Sequence, residues 1–517
     1  MDSPLQQARL AYKPQVPAIL ENLSEAILVP NAPTGLEEAI VKLFPKTHSV
    51  RKLSIQKEGT QPGRKLTVGV FFSGGPAAGG HNVLSGLFDG IKQIHPDSNL
   101  IGFLDGPKGL IENKRKILEK SDIDAVRNQG GFDLIGSSRV KIESKEQFEA
   151  AAKTVRENSL DALVVIGGDD SNTNAAFLAE VLPISVIGVP KTIDGDLRSQ
   201  EIEISFGFDS ACKTYAEMIG NIEKDTLSTK KYYHFIKLMG RSASHIALEC
   251  ALLTQPNLTL IGEEKQPLTK IVAEIVDLIV QRKKTGKEYG VILLPEGLIE
   301  FIPEIRDLIS LLNQLLAKEP KPEEAISQLN EENRTLFFSL PEKIQKQLLF
   351  ERDPHGNIQV SKIETEKFLL ELVERGLKEK NIKINAAVHF FGYEGRSCLP
   401  SNFDANYCYA LGLFAALAAR EKATGVILAI KNLSLPPQEW DLAAIPISSL
   451  MHFEMRSGKE KAVIAKALVD LQSPSFLRFL RDRADWKLED SYRMPGPIQF
   501  FGALDLTDTA PLAISWR

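Results

Sequence analysis

Short apolar runs that end in a glycine turn and give way to amphipathic stretches recur along most of this chain. A run without polar alternation reads as a strand buried on both faces, and such strands alternating with helical periodicity predict a parallel sheet with crossover helices. One series comprises Leu66 to Phe72, Leu100 to Leu104, Ala162 to Ile166 and Ile184 to Val189. A second begins at Tyr233 to Met239, continues through Leu258 to Ile261 and Val291 to Leu294, and resumes at Ala386 to Phe391 and Gly425 to Ile430. In the gap, Ile305, Leu308, Ile309, Leu312 and Leu316, then Phe368, Leu369, Leu372 and Val373, stand at helical spacing and predict a helical insertion. The expected fold is α/β: two doubly wound, mostly parallel-sheet domains, over 64–225 and over 226–299 with 385–445. Residues 300–384 form the helical insertion between the two parts of the second. Residues 1–63, helix-prone and interrupted by prolines, read as an N-terminal extension, and 446–517 as a C-terminal segment packing back on the α/β domains.

Composition narrows the class. At 517 residues the chain exceeds one ordinary core, and 43% hydrophobic with 25% charged residues excludes wholesale disorder. Net charge is −5 with no long basic block, which argues against a nucleic-acid binder working by phosphate neutralisation, so any phosphate site must be local. Cys212, Cys250, Cys398 and Cys408 lack metal-ligand spacing and fit reduced thiols. No signal pattern opens the chain and no apolar run reaches the roughly 18 residues of a spanning helix, so a soluble, cytoplasmic protein is expected, with no membrane partner.

Candidate chemistry gathers at the strand ends. After the first strand, Ser73-Gly74-Gly75-Pro76-Ala77-Ala78-Gly79-Gly80 precedes a helix over Val83 to Ile94; the glycines let backbone approach a phosphate, although the spacing is neither a dinucleotide fingerprint nor a Walker loop. Gly167-Gly168-Asp169-Asp170 ends another strand, with Ser171 to Asn174 capping the next helix. Two acids in an anion-binding turn make sense if one holds a divalent metal and the other repels an unwanted group. In Pro190-Lys191-Thr192-Ile193-Asp194-Gly195-Asp196, Lys191 can meet a phosphate, Thr192 orient an alcohol and Asp194 take its proton. Met239-Gly240-Arg241 offers a fixed guanidinium fork to a phosphoryl group, Glu296 can accept sugar hydroxyls, and Gly392-Tyr393-Glu394-Gly395-Arg396 presents a phenol and a guanidinium to a second phosphate. Each motif also suits an ordinary turn; His355, in the turn Asp353 to Asn357, reads as a solvated loop histidine.

Together, in this order, these motifs resemble the phosphofructokinases, in particular their long, pyrophosphate-dependent type. The resemblance implies that Gly75, with Arg139, cradles pyrophosphate, that Asp169 binds magnesium, and that Asp194 deprotonates the C1 hydroxyl of fructose 6-phosphate between Thr192 and Asp196. It implies that Arg241 stabilises the transferred group while Met239, Gly240 and Glu296 hold the sugar. Tyr393, Glu394, Gly395 and Arg396 take the 6-phosphate end, and Lys231 with Tyr232 reaches a neighbouring subunit's substrate in a homodimer or higher homo-oligomer. ATP-using members have glycine at the places of Asp170 and Lys191. A carboxylate beside a nucleotide's α-phosphate costs roughly 4 kcal/mol at 4 Å and an effective dielectric near 20, and Lys191 suits the small inorganic donor. Ala386-Ala387 stands where bacterial ATP-dependent members carry an arginine for the 6-phosphate. An ATP-dependent enzyme and a non-catalytic regulatory subunit of the same fold are the alternatives; intact Asp169, Asp194 and Arg241 argue against the latter.

Overall fold

The computed structural model describes all residues except 1–3, 32–34, 317–320, 353–357, 360–361, 457–458, 498–509 and 517. The turn carrying His355 lies outside the described residues. Two compact units emerge: Met1–Thr214 with Tyr393–Ala467 and Ile498–Ser515, and Tyr215–Gly392 with Leu468–Pro497 and Trp516–Arg517.

The first unit is built on a ten-stranded sheet among the described residues. Its centre is parallel, in the order Val426–Lys431, Ser185–Pro190, Ala162–Gly167, Thr67–Ser73, Asn99–Phe103. Every residue of Ala162–Gly167 and Ser185–Pro190 is buried, as uninterrupted apolar runs require. The margins are antiparallel: Arg115–Leu118 on one side, and Asp441–Pro446, Leu53–Lys57 and Ala26–Pro30 on the other. The expected N-terminal extension thus contributes two strands. They are five residues each and half-buried, too short and too weakly apolar to stand out beside the central runs.

A second correction concerns 393–445, expected in the second domain. Val426–Lys431 pairs in parallel with Ser185–Pro190 in the first unit's sheet. A run buried on both faces carries no mark of which sheet it joins. The choice is made by the helix Asn402–Arg420, buried along almost its whole length against the helix Gly80–Ile94. Small residues permit the approach: a Cβ on Gly86 would lie 2.2 Å from Tyr409 O, and one on Gly412 2.3 Å from Val83 O. The other limit of the first domain shifts from 225 to 214, within the helix Phe208–Thr229.

The second unit holds a parallel four-stranded sheet, in the order Leu258–Thr259, Gly290–Pro295, Tyr233–Leu238, Ala386–Phe391. The run to Ile261 yields only two strand residues, because the chain turns into a short 3₁₀ segment at Gly262–Glu264. The insertion is helical as expected, over Pro303–Leu316, Pro322–Ser327, Glu331–Ser339, Glu342–Phe350 and Thr365–Glu379. Ile305, Leu308, Leu312, Phe368, Leu369 and Val373 enter one core with Phe235 and Ile292 of the sheet. The C-terminal segment is divided: the hairpin Met451–Arg456/Lys459–Ile464 lies in the first unit and the helix Pro474–Leu488 in the second.

Candidate active site

Three loops meet at the C-terminal ends of the parallel strands in the first unit, where open α/β sheets bind ligands. In the glycine-rich loop, Gly74 (φ +85°) and Gly79 (φ +97°) adopt left-handed backbone that β-carbons disfavour. Gly74 N donates to Ser138 O (2.9 Å) and Ser137 Oγ to Gly74 O (2.8 Å), fixing the loop to the turn that carries Arg139. A Cβ on Gly75 would lie 1.7 Å from Arg396 Nη2, so the bare backbone makes room for that guanidinium. Lys191 Nζ donates to Gly75 O at 2.8 Å. Gly75, Lys191 and Arg396 therefore converge.

The acidic turn leads directly into the helix Asp169–Val181, whose first turn contains both acids. Ser171 to Asn174 lie inside this helix rather than ahead of it, and Gly168 holds the capping position. Asn172 Nδ2 ties down Gly167 O (2.6 Å) and Gly168 O (3.0 Å), and Ser171 Oγ bonds Ser73 Oγ (2.8 Å), joining this turn to the glycine-rich loop. Asp169 Oδ2 is buried and makes no hydrogen bond among the described residues; Lys466 Nζ stands 3.8 Å away. Asp170 faces outward and pairs with Lys141, Nζ to Oδ1 3.1 Å.

In the third loop, Lys191 N donates to Gly167 O (2.9 Å) and Asp194 N to Thr192 Oγ1 (3.1 Å), folding the chain back so that Thr192 and Asp194 are half-buried neighbours. Gly195 takes φ +72° between Asp194 and Asp196. Burial, followed by the nearby charges of Asp194 and Asp169, pushes the Asp196 carboxyl up to about 7, opposed by Lys466. Lys191 is pulled down to about 8, first by burial and then by Arg396, against the attraction of Asp194. Arg139 is exposed and adds to that cationic field. Tyr393 is 71% exposed with Arg396 Cζ 5.4 Å from its ring, Glu394 is exposed, and Gly395 is buried, its carbonyl accepting from Cys398 Sγ (3.5 Å).

Magnesium fits this arrangement. The ion is commonly held by one or two carboxylates, with waters and substrate phosphates completing its shell, and Asp169 offers a buried oxygen that makes no hydrogen bond among the described residues. Among the described residues no cluster of three His, Cys, Asp or Glu forms a closed cage.

The second unit assembles a separate group at the C-terminal ends of two adjacent strands. Gly240, at φ +131°, donates its N–H to Glu296 Oε2 (3.1 Å), and Glu296 N donates to Leu238 O (2.8 Å). A Cβ on Gly297 would lie 1.9 Å from Arg241 O, so the two turns pack backbone to backbone. Met239 N donates to Phe391 O (2.9 Å), which completes a Met239, Gly240, Arg241 and Glu296 cluster with Arg241 exposed. The following helix is His245–Thr254. Lys231 and Tyr232 are exposed at the opposite end of the strand, away from this cluster.

Sequence reasoning missed Lys141 and Lys466. Lys141 follows Arg139 at the spacing of one extended face, a signal that was available. Lys466 sits in a segment with no glycine-turn motif, and only the hairpin's seat on the helix Asp169–Val181 brings it near Asp169: Ile464 N donates to Thr173 Oγ1 at 3.1 Å.

The phosphofructokinase family profile matches residues 67–419. Similar proteins include the pyrophosphate–fructose 6-phosphate 1-phosphotransferase of Treponema pallidum (strain Nichols), 48% identical over 99% of this chain and 96% of that protein. Its namesake in Porphyromonas gingivalis is 46% identical over 99% and 98%. The Arabidopsis thaliana protein named as subunit beta 1 of that enzyme is 47% identical over 97% and 92%. Among solved structures, the pyrophosphate-dependent phosphofructokinase of Nitrosospira multiformis aligns with TM-score 0.56 at 16% identity, over 86% of this chain and 97% of that one, a likeness of fold. The order of the motifs, the convergence of Gly75, Lys191 and Arg396, and these matches along nearly the whole chain establish that it belongs to the phosphofructokinase family.

Proposed function

We propose that the chain transfers a phosphoryl group reversibly from pyrophosphate to the C1 hydroxyl of D-fructose 6-phosphate, giving fructose 1,6-bisphosphate and phosphate. The observation that carries this reading is Lys191: a buried ammonium bonded to the carbonyl of Gly75, in the loop next to Asp169 and Asp170. The nearly full-length relatives named for the same reaction support it. Lys191 holds the terminal phosphate and neutralises the phosphate that leaves. Asp194 accepts the C1 hydroxyl proton as that oxygen attacks phosphorus and the bridging P–O bond breaks. Thr192 and Asp196 flank the hydroxyl. Met239, Gly240 and Glu296 hold the sugar, Arg241 takes the transferred group, Tyr393 and Arg396 take the 6-phosphate, and Arg139 takes the donor. Magnesium on Asp169 would screen the phosphate charge when bound.

Asp170 disfavours the extra phosphate of a nucleotide. Lys141, 3.1 Å away, offsets part of that field, so donor choice rests on Asp170 and Lys191 together. We further propose a cytoplasmic homo-oligomer in which exposed Lys231 and Tyr232 reach a neighbouring subunit's substrate. Consistent with this, no helix among the described residues is long and apolar enough to cross a membrane. A coupled assay of the purified chain with fructose 6-phosphate, supplying pyrophosphate or ATP in turn, tests the reading. Turnover with pyrophosphate is expected; turnover with ATP only, or with neither, overturns it.

A further inference from the structure

We infer that Asp404 is a positioning residue for the transfer: its carboxylate fixes the segment 204–210, and that segment fixes the backbone of Pro190, Lys191 and Thr192. This inference rests on the roles given above to Lys191 and Thr192. Asp404 lies in the first turn of the helix Asn402–Arg420 and is fully buried, so it acts through other residues rather than on substrate.

The helix Phe208–Thr229 starts with N–H groups that its own turns leave without acceptors, and Gly207 ahead of it has no side chain with which to cap them. Asp404 supplies the cap from 197 residues away: Oδ1 accepts from Gly207 N (3.0 Å), and Oδ2 from Ser210 N (2.9 Å) and Ser210 Oγ (2.5 Å). Its charge also suits the positive end of the helix dipole. Gly207, at φ +90°, is seated on the glycine-rich loop, where a β-carbon would lie 2.5 Å from Ala77 Cβ. From this anchored turn the chain runs back along the site. Phe206 N donates to Pro190 O (3.2 Å), Phe206 forms a parallel bridge with Lys191, and Ser205 Oγ donates to Thr192 O (2.9 Å). Tyr407, in the same helix as Asp404, donates its hydroxyl to Ile204 O (2.7 Å). One helix thus holds the stretch that sets Lys191 and Thr192 in line beside the glycine-rich loop. Both carboxylate oxygens serve as acceptors, and asparagine, of the same shape, would turn an N–H toward a backbone N–H.

The test compares Asp404→Asn, Ser205→Ala and the double variant with the unchanged full chain, by steady-state rates per folded molecule against each substrate and by thermal unfolding. For Asp404→Asn we expect kcat/KM for pyrophosphate to fall about tenfold or more, as a displacement of the reacting groups well under 1 Å implies. KM for pyrophosphate should rise more than KM for fructose 6-phosphate. Ser205→Ala should show a smaller loss of the same kind with its melting temperature little changed. Because the two residues act in series, the double variant should lose no more than Asp404→Asn alone, whereas independent effects would multiply. Multiplied losses would overturn the inference. So would an equal rise in both KM values, or a fall in melting temperature with kcat/KM per folded molecule unchanged, the marks of a residue that serves stability alone. Should Asp404→Asn not fold, Ser210→Ala, which keeps both backbone bonds to Asp404, takes its place in the same comparison. Failure of the donor reading itself shows separately, as absence of turnover with pyrophosphate in the unchanged chain.

Discussion

Lys191 in the first unit and Arg282 in the second are both buried cations, 5% and 0% exposed, and their surroundings differ in kind. Arg282 is saturated: Nε donates to Tyr289 O (2.9 Å), Nη1 to Lys487 O and Leu488 O, and Nη2 to Asp490 Oδ1 (2.8 Å), while the guanidinium stacks over the Tyr289 ring. The Lys191 ammonium makes one hydrogen bond among the described residues, to Gly75 O, and has another cation, Arg396, beside it. A buried charge costs several kcal/mol unless it is paired and hydrogen-bonded. Arg282 meets that condition within the protein; Lys191 has one carbonyl and the attraction of Asp194 and Asp169 set against Arg396, and on the proposed reading a bound anion completes its pairing.

The sharpest way to break this comparison is to remove charge from the first unit. Asp194→Asn should lower kcat by about 10² to 10⁴, with KM for fructose 6-phosphate little changed and the melting temperature preserved. Rates near those of the unchanged chain would refute the base assignment.

In the second unit the same operation should act on folding. Arg282→Met leaves three carbonyls without their donor and Asp490 with only Tyr289 and Lys287, and should cost about 3–5 kcal/mol in chemical denaturation. Activity per folded molecule should be unchanged. A stable variant with impaired turnover would reverse the roles assigned to the two cations.

How much of this was legible beforehand follows from where the information lies. Strands buried on both faces announce themselves, and Ala162–Gly167 falls where its apolar run predicts. The loops bearing Gly75, Asp169, Asp194, Arg241 and Arg396 are local motifs, so their placement at strand ends was also readable. Sheet membership was not. Val426–Lys431 joins the first unit because Gly86 and Gly412 let two distant helices touch, a pairing that no local pattern encodes. The marginal strands Ala26–Pro30 and Leu53–Lys57 were missed because five half-buried residues resemble a loop. The approach of Lys466 to Asp169 was not readable, because it depends on a hairpin seat some 300 residues from the acidic turn in sequence, fixed by Thr173 and Asp196.

Donor choice sharpens the comparison within the first unit. Asp170→Gly combined with Lys191→Gly removes one charge of each sign, so net charge and bulk solubility are conserved while the local field changes. The ratio of kcat/KM for ATP to that for pyrophosphate should rise by about tenfold or more, as removal of a repulsion of a few kcal/mol implies. Lys141, freed from its 3.1 Å pairing with Asp170, would then favour the nucleotide further, so adding Lys141→Ala should reduce the gain. An unchanged ratio would contradict the charge argument.

The smallest effect is a pH dependence whose two parts have opposite sign. Burial and Arg396 bring Lys191 from its ordinary 10.5 down to about 8, so in the free enzyme the ammonium is lost as pH rises through about 8. KM for pyrophosphate should therefore climb several-fold between about pH 7 and 9. In the unfolded chain Lys191 keeps its proton up to its ordinary value, so between about 8 and 10.5 the unfolded state binds more protons, and this group makes the folded chain more stable as pH increases. Donor affinity thus falls across the interval in which this residue's contribution to stability grows. Lys191→Arg stays charged throughout and should flatten its part of both trends. Arg282→Met should leave the shape of both profiles unmoved, apart from a uniform loss of stability. Pyrophosphate KM and denaturant midpoints measured over that range for the unchanged chain and both variants decide it: parallel profiles for the unchanged chain and Lys191→Arg would show that the Lys191 ammonium does not hold the donor.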